Sequence, residues 1–221
     1  MLHTLDFYYV IRAWPQFLAG LWVTLELTIW ANAIGLTAGF LLALLLVSRI
    51  APVRWLVVTY IEFFRCTPAL IQIVWFFFCV PILFNVFWQP VTLGLLVLGM
   101  NLTAFNAEAY RAAIQAIPSS QYDASVALGL SRWTQTVDVV LPQAARLAVP
   151  VLITNAIGIF QQSSLVALVG VTDLMYQAKL LSTKTYRPIE TYTFVALIYL
   201  ALAVPFGRIA AFLESRSERL S

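Results

Sequence analysis

CTPALIQIVWFFFCVPILFNVFWQPVTLGLLVLGMNLTAFNA, Cys66 to Ala107, holds no charged residue. A charge-free run of about 42 residues is twice what one membrane crossing needs, so it must fold back. Pro81 and the stretch from Asn85 to Pro90 carry the chain breakers that predict the bend. Leu27 to Ser48 is a second such run, about 33 Å long as a helix, enough to cross a hydrocarbon core. Leu147 to Thr172, about 26 residues, and Thr191 to Gly207, about 17, complete the set. The runs predict an all-α, polytopic membrane protein forming one domain over residues 1–221. Five crossings are expected near 20–48, 56–82, 90–112, 146–169 and 190–212.

Composition agrees. The chain is 62% hydrophobic and 10% charged, with a mean hydropathy of +0.87. A soluble domain needs far more charge to coat its surface. Basic residues set the expected orientation. Arg49, Arg54, Arg111, Arg132, Arg146, Arg208, Arg216 and Arg219 fall in one set of loops; Arg12, Lys179, Lys184 and Arg187 fall in the other. The richer side is predicted to be cytoplasmic, with the N-terminus outside and the C-terminus inside. Asp6 and Arg12 precede a span too long for a signal-peptide core, so no cleavable signal is expected. Cys66 and Cys79 share one apolar span and read as small buried hydrophobes rather than a disulfide. Trp14, Trp22, Trp55 and Trp88 fall near span ends and read as interfacial anchors; Glu26 is expected at the outer end of the first span. A pI near 9.0 reflects the loop arginines, so no nucleic-acid partner is inferred.

Several chemistries are excluded. No G-x-x-x-x-G-K-[ST] loop is present to bind ATP. The one histidine, His3, rules out histidine metal sites and Ser-His-Asp triads, and no cysteine pair has zinc spacing. An enzyme built on this chain would have to use carboxylates, serines or tyrosines alone.

Pro118 to Arg146, PSSQYDASVALGLSRWTQTVDVVLPQAAR, is too polar and too long for a simple loop. It predicts a helical hairpin over about 118–142. Ser120 is placed to cap the first helix, with Asp123 as the reciprocal partner of a capping box. Gly129 is placed to end it at positive φ. Ser131 caps the second helix, which Leu141-Pro142 stops. The hairpin reads either as a plain connector or as a docking knob for a partner protein.

Here the chain resembles a known family. Asp123-Ala124-Ser125, three residues, Gly129, nine residues, then Val139-Val140-Leu141-Pro142 is similar to the EAA loop of bacterial ABC importer permeases, whose pattern is Glu-Ala-Ala, three residues, Gly, nine residues, Ile-x-Leu-Pro. Asp, Ser and Val replace Glu, Ala and Ile, each keeping the chemistry. YIEFFRCTPALIQIVWFF (Tyr60 to Phe77) resembles the E-F-x-R-G-T-P-x-x-x-Q signature of the polar amino acid permeases, with Cys66 for Gly. AEAYRAAIQAIPSSQ (Ala107 to Gln121) resembles their A-E-x-x-R-x-x-I-x-x-I-P-x-G-Q stretch, with Ser120 for Gly. FLAGLWVTLELTI (Phe17 to Ile29) and the segment from Leu141 to Leu174 extend the likeness along nearly the whole chain. That family imports histidine, glutamate, glutamine, arginine and opines.

Polar residues inside the spans are the candidate pathway. Glu62 and Arg65 stand one turn apart and can pair, either fixing helix rotation or gating. Thr67-Pro68 follows, where a missing N–H should kink the helix, and Gln72 belongs to the same signature. Glu108 and Arg111 repeat the spacing as an interfacial pair or a pathway element. Asn101, Thr103 and Asn106 read as glue between helices or as pathway lining. Gln161, Gln162, Ser163 and Ser164 make a polar step that cannot all face lipid; in the family a lysine often stands where Gln161 is.

The resemblance implies the rest of the machine. Gln121, Asp123, Ala124, Ser125, Gly129, Leu141 and Pro142 are expected to couple to separate ATPase subunits that bind ATP and magnesium, with no cofactor on this chain. Glu62, Arg65, Thr67, Pro68, Gln72, Asn101, Asn106, Glu108, Arg111, Gln161, Ser163 and Ser164 are expected along the pathway or its gate. A second permease chain, identical or a sister, an external solute-binding protein and membrane lipids complete the expected partners, in a bacterial cytoplasmic membrane. The substrate is expected to be a polar amino acid, with a preference for glutamate or aspartate. Two rivals remain: an ion-coupled secondary transporter, which would show inverted repeats, and a membrane scaffold subunit.

Overall fold

The computed structural model describes residues 6–46 and 50–218, with side chains up to 215. His3, Arg49 and Arg219 lie outside the described residues, as does the side chain of Arg216. The described residues are almost entirely helical: α1 Tyr8–Arg12, α2 Trp14–Leu46, α3 Ala51–Cys66, α4 Ala69–Phe84, α5 Pro90–Gln115, α6 Ser119–Ala127, α7 Arg132–Thr134, α8 Leu141–Gln162, α9 Leu174–Thr185 and α10 Pro188–Glu218. A π-helical segment, Gln135–Val140, joins α7 to α8, and a 3-10 segment, Ser163–Val169, extends α8. Four of these stretches are long and apolar enough to cross a membrane; α3 and α4, bent by 106° at their junction, make a fifth if taken as one broken span.

The central pillar is α5, the most buried of the candidate spans. It packs along α2 through a stripe of small residues, Ala31, Gly35, Gly39 and Ala43, which lets the two backbones approach closely. A Cβ on Gly39 would lie 2.8 Å from the Cβ of Asn106, so only glycine fits there. Leu27, Ile73, Leu98, Leu102 and Ile159 fill the main core between α2, α4, α5 and α8. Most of the large side chains left exposed on α2 and α4, among them Ile29, Phe78 and Ile82, are apolar, with Glu26 an exception. That is the pattern of a surface wetted by hydrocarbon rather than water.

One end of the bundle is tied by charge. Arg187 donates to Glu190 at 3.0 Å and lies 3.9 Å from Asp6, while the backbone N–H of Asp6 donates to Glu190. The starts of α1 and α10 therefore share one face. The ends of α2 and α5 and the hairpin from Ser119 lie at the other.

Several expectations are corrected. The first span starts at Trp14, not at residue 20, because nothing between Trp14 and Gly20 breaks a helix beyond its first turn. Trp22 and Glu26 thus stand well inside α2, both exposed, rather than at its end. Pro81 does not make the fold-back: it sits in the last turns of α4, and the chain turns at Asn85, at φ 52°, before Pro90 opens α5. Both cysteines are free, but Cys66 is exposed rather than buried, because α3 ends there. Two elements, α1 and α9, have no sequence expectation; Asp173 accepts the Tyr176 N–H at 2.9 Å as the N-cap of α9.

Candidate functional site

The break between α3 and α4 follows from Pro68. In a continuous helix the carbonyl of Phe64 would accept the N–H of residue 68, and proline has none. Two side chains from elsewhere supply the donors. Gln72 Nε2 donates to Phe64 O at 2.9 Å, to Thr67 O at 3.0 Å and to Thr67 Oγ1 at 2.7 Å. Asn101 Nδ2, on α5, donates to Phe64 O at 3.3 Å and to Gln72 Oε1 at 2.9 Å. Both amides are buried, so an unfilled carbonyl here would be left without water. Irregular backbone at membrane depth is tolerated only when satisfied in this way. Tyr60 adds a bond from its hydroxyl to Met100 O at 2.8 Å, fixing α3 against α5 one turn before the break.

Charged residues gather beside it. Glu108 takes a bidentate clamp from Arg111, whose Nε donates at 2.9 Å and whose Nη2 contacts the other oxygen. Arg111 Nη1 donates to Gln115 at 2.6 Å. Arg65 reaches Glu108 at 3.9 Å and stands over the Phe105 ring at 5.9 Å. The expected Glu62–Arg65 pair does not form. Arg65 turns to α5, where Glu108 offers a partly desolvated carboxylate, and Glu62 instead accepts the Cys66 thiol at 3.4 Å. The Glu108–Arg111 pair does form, and Arg65 links it to the broken span.

Asn106 is fully buried and accepts from Asn155 Nδ2 at 3.0 Å, which ties α5 to α8; its own Nδ2 has no partner. Thr103 is buried on the same helix and donates to Gly99 O at 2.7 Å. The polar step at the end of α8 divides. Gln161 is exposed, Ser164 donates to Gln161 O at 2.8 Å, and Ser163 is buried with its hydroxyl on Phe160 O at 2.7 Å. Ser163 is a buried helix-end residue, while Gln161 alone of the four is fully at the surface. The break and the charge cluster are therefore one assembly, with which the printed bonds of Ser163 and Ser164 make no link.

The hairpin folds as a helix–turn–helix knob. Its first helix begins at Ser119 with Pro118 at the N-cap and no side-chain capping bond, so the Ser120–Asp123 capping box does not form. The fixed φ of Pro118 starts the helix one residue early and moves Ser120 inside the first turn. Gly129, at φ 70°, ends it as expected: Leu130 N–H donates to Ser125 O at 3.1 Å and Gly129 N–H to Val126 O at 2.9 Å, a Schellman pair. Ser131 accepts the Thr134 N–H at 3.2 Å and caps the second helix. Leu141-Pro142 does not stop that helix. The wider π pattern over Gln135–Val140 bypasses the N–H that Pro142 lacks, and the chain runs on helically from Arg132 to Val169.

Of the seven expected coupling residues, Asp123 and Ala124 are exposed on α6 and Gly129 forms the tip. Ser125 is buried, its hydroxyl on Tyr122 O at 2.7 Å within α6. Gln121 accepts from Gln143 at 3.5 Å, and Leu141 and Pro142 stand at the root. Val126, Leu128 and Trp133 project from the knob, 64%, 76% and 77% exposed. These three are not among the expected coupling residues, although an apolar triplet in a loop outside the spans is a readable signal. Root packing comes from Ala113, Ile117, Val140, Ala144 and Ala148, which join α5 to α8.

Residues 35–219 match the family described as binding-protein-dependent transport system inner membrane component. The chain belongs to that family. It is a permease subunit of an ABC importer and not itself an enzyme, since the ATPase of such systems is a separate subunit. Among its relatives, the glutamate/aspartate import permease protein GltK of Escherichia coli is 30% identical over 98% of this chain and 100% of its own length. The probable glutamine ABC transporter permease protein GlnM of Bacillus subtilis is 32% identical over 92% of this chain and 94% of its own. A solved amino acid ABC transporter, crystallised with histidines, superposes with a TM-score of 0.90 at 33% identity, covering 96% of this chain and 99% of that one. The MetNI methionine transporter shares the fold, with a TM-score of 0.70 at 20% identity over 95% of this permease and 98% of its own chain.

Proposed function

We propose that this permease forms the translocation pathway of an importer for polar or charged amino acids, driven by ATP and magnesium held on partner ATPase subunits. The observation that carries the reading is mechanical. The second limb of the knob, from Arg132, continues without a helical break into the fourth span, so a push on that limb moves the span directly. The exposed Val126, Leu128 and Trp133 give an ATPase groove an apolar ridge to grip, with Asp123 beside it.

The pathway is read along the broken span, where Thr67, Pro68, Gln72 and Asn101 surround the helix break and Glu62, Arg65, Glu108 and Arg111 guard one end. Gln161 and Ser164 belong to a separate polar surface that a second permease chain would complete. Repeated closure and opening of the ATPases shifts the spans between outward- and inward-facing states. An extracytoplasmic solute-binding protein delivers the amino acid, with the N-terminus outside and the hairpin in the cytoplasm. Glutamate or aspartate is the favoured substrate, from the likeness to GltK, with glutamine the neutral alternative.

The test is Gly129→Asp. A side chain at φ 70° is strained and distorts the tip. The variant should insert in the membrane at normal yield yet no longer retain the ATPase through purification. Normal ATPase recovery would remove the hairpin from the coupling role.

A further inference from the structure

Where the end of α2 meets α3 and the last turns of α5, the surface opens into a cleft of about 290 Å³. Arg54, Glu62, Glu108, Arg111 and Gln115 line it, with Ile61 among its apolar walls. Its charges are not equivalent. Arg111 is fully committed, to Glu108 and to Gln115, and Glu108 is neutralised by Arg111 with Arg65 at 3.9 Å behind it. Arg54 has no ion pair among the described residues. Glu62 holds only the Cys66 thiol, on one of its two oxygens. One cation and one anion therefore stand uncommitted on the same wall, eight residues apart on α3, a rise of about 12 Å. Both side chains are long enough to lean toward a small molecule between them.

We propose that this cleft is a second amino-acid station, with the α-carboxylate held by Arg54 and the α-ammonium by Glu62. The proposal rests on the amino-acid importer reading and adds a site at the hairpin end of the bundle, apart from Gln161 and Ser164. A phosphatidylethanolamine headgroup also carries both charges, but in the opposite order. Its phosphate lies deeper than its ammonium, whereas Arg54 is in the first turn of α3, next to the end of the α2 span, and Glu62 is farther along. A lipid would set phosphate against carboxylate.

Cys66 gives a local reporter, because its exposed thiol donates to Glu62. The complete transporter, carrying Cys79→Ser, is placed in nanodiscs of phosphatidylcholine and treated with a maleimide. L-Glutamate and L-glutamine should speed Cys66 alkylation saturably, because their ammonium takes the carboxylate that holds the thiol. Glutarate, which lacks the ammonium, should not. Arg54→Gln should raise the half-effect concentration at least tenfold, and Arg54→Lys should restore most of it. The proposal is overturned by an unchanged alkylation rate, by an effect unaltered in Arg54→Gln, or by an effect that comes from added phosphatidylethanolamine instead of amino acid. ATP-driven uptake by the same complex is measured in parallel. Uptake without a change at Cys66 removes only the second station. Absence of uptake for every amino acid, with or without that change, removes the importer reading beneath it.

Discussion

The amide of Gln72 donates at 2.9 Å to the carbonyl of Phe64, the acceptor that Pro68 leaves without a backbone N–H. Asn101 reaches the same oxygen and also binds Gln72, so α5 holds the broken span at its bend. Leaving a buried carbonyl unfilled costs about 1–3 kcal/mol, which makes the pair a structural clasp at the centre of the proposed pathway.

Gln72→Leu removes the side-chain donor of the Thr67 carbonyl and leaves Phe64 O to Asn101 alone, so it should lower stability by about 2 kcal/mol. Asn101→Leu should do nearly the same. Because the two amides share an acceptor and bond each other, the double variant should lose much less than the sum. Thermal unfolding in detergent measures all three. Strict additivity would mean the clasp is not a unit.

The hairpin surface predicts the opposite behaviour. Leu128→Asp and Trp133→Asp alter side chains 76% and 77% exposed, so folding stability should move by no more than about 0.5 kcal/mol. Recovery of the ATPase with the tagged permease should nonetheless fall at least tenfold. Equal recovery from both variants would show that the ridge does not dock.

Close packing of α2 on α5 predicts a severe defect from a small change. Gly39→Val adds atoms where even a Cβ would lie 2.8 Å from Asn106 and 3.2 Å from the backbone of Ala107. Overpacking of this kind costs about 1–3 kcal/mol when side chains can yield, and more against backbone. Gly158→Ala, with nothing within 4 Å of the added Cβ, serves as the control. Size-exclusion profiles of the two variants should differ sharply, the first aggregated and the second monodisperse.

Much of this was legible in local sequence. Run lengths located the spans, Gly129 marked the end of α6, and Ser131 marked the cap that follows it. What was illegible depended on partners distant in the chain. The i, i+3 spacing of Glu62 and Arg65 permits a pair, but Glu108, more than forty residues away, competes for the arginine and takes it. Thr67-Pro68 signals a kink, while the donor from Asn101 that fills the freed carbonyl comes from a helix more than thirty residues away. Pro142 looked like a helix stop because the local rule assumes α geometry, and a π segment evades it. The helix α9 is hard to read locally because Lys179 and Lys184 mask its buried stripe of Leu174 and Ala178.

Asp173 supplies a pH test. It lies wholly buried in the connection before α9, and burial pushes its carboxyl from 3.8 up to about 6. Its Oδ2 has no partner. The folded state thus favours the protonated acid. The stability this confers is full below the unfolded value near 4 and is lost as pH rises through about 6. The whole effect amounts to about 3 kcal/mol. Melting temperature should fall between pH 4 and pH 7 in the native chain. Asp173→Asn keeps an acceptor for the Tyr176 N–H and cannot ionise, so it should flatten that slope. An unchanged slope would assign the pH dependence elsewhere.

The most direct test of the coupling account is purification of the tagged permease in mild detergent, with mass spectrometry of whatever accompanies it. The account predicts a P-loop ATPase in equal amount, together with a second permease chain if the pathway is built from sisters. Repeated recovery of this chain alone, with uptake that follows an ion gradient and ignores ATP, would contradict it.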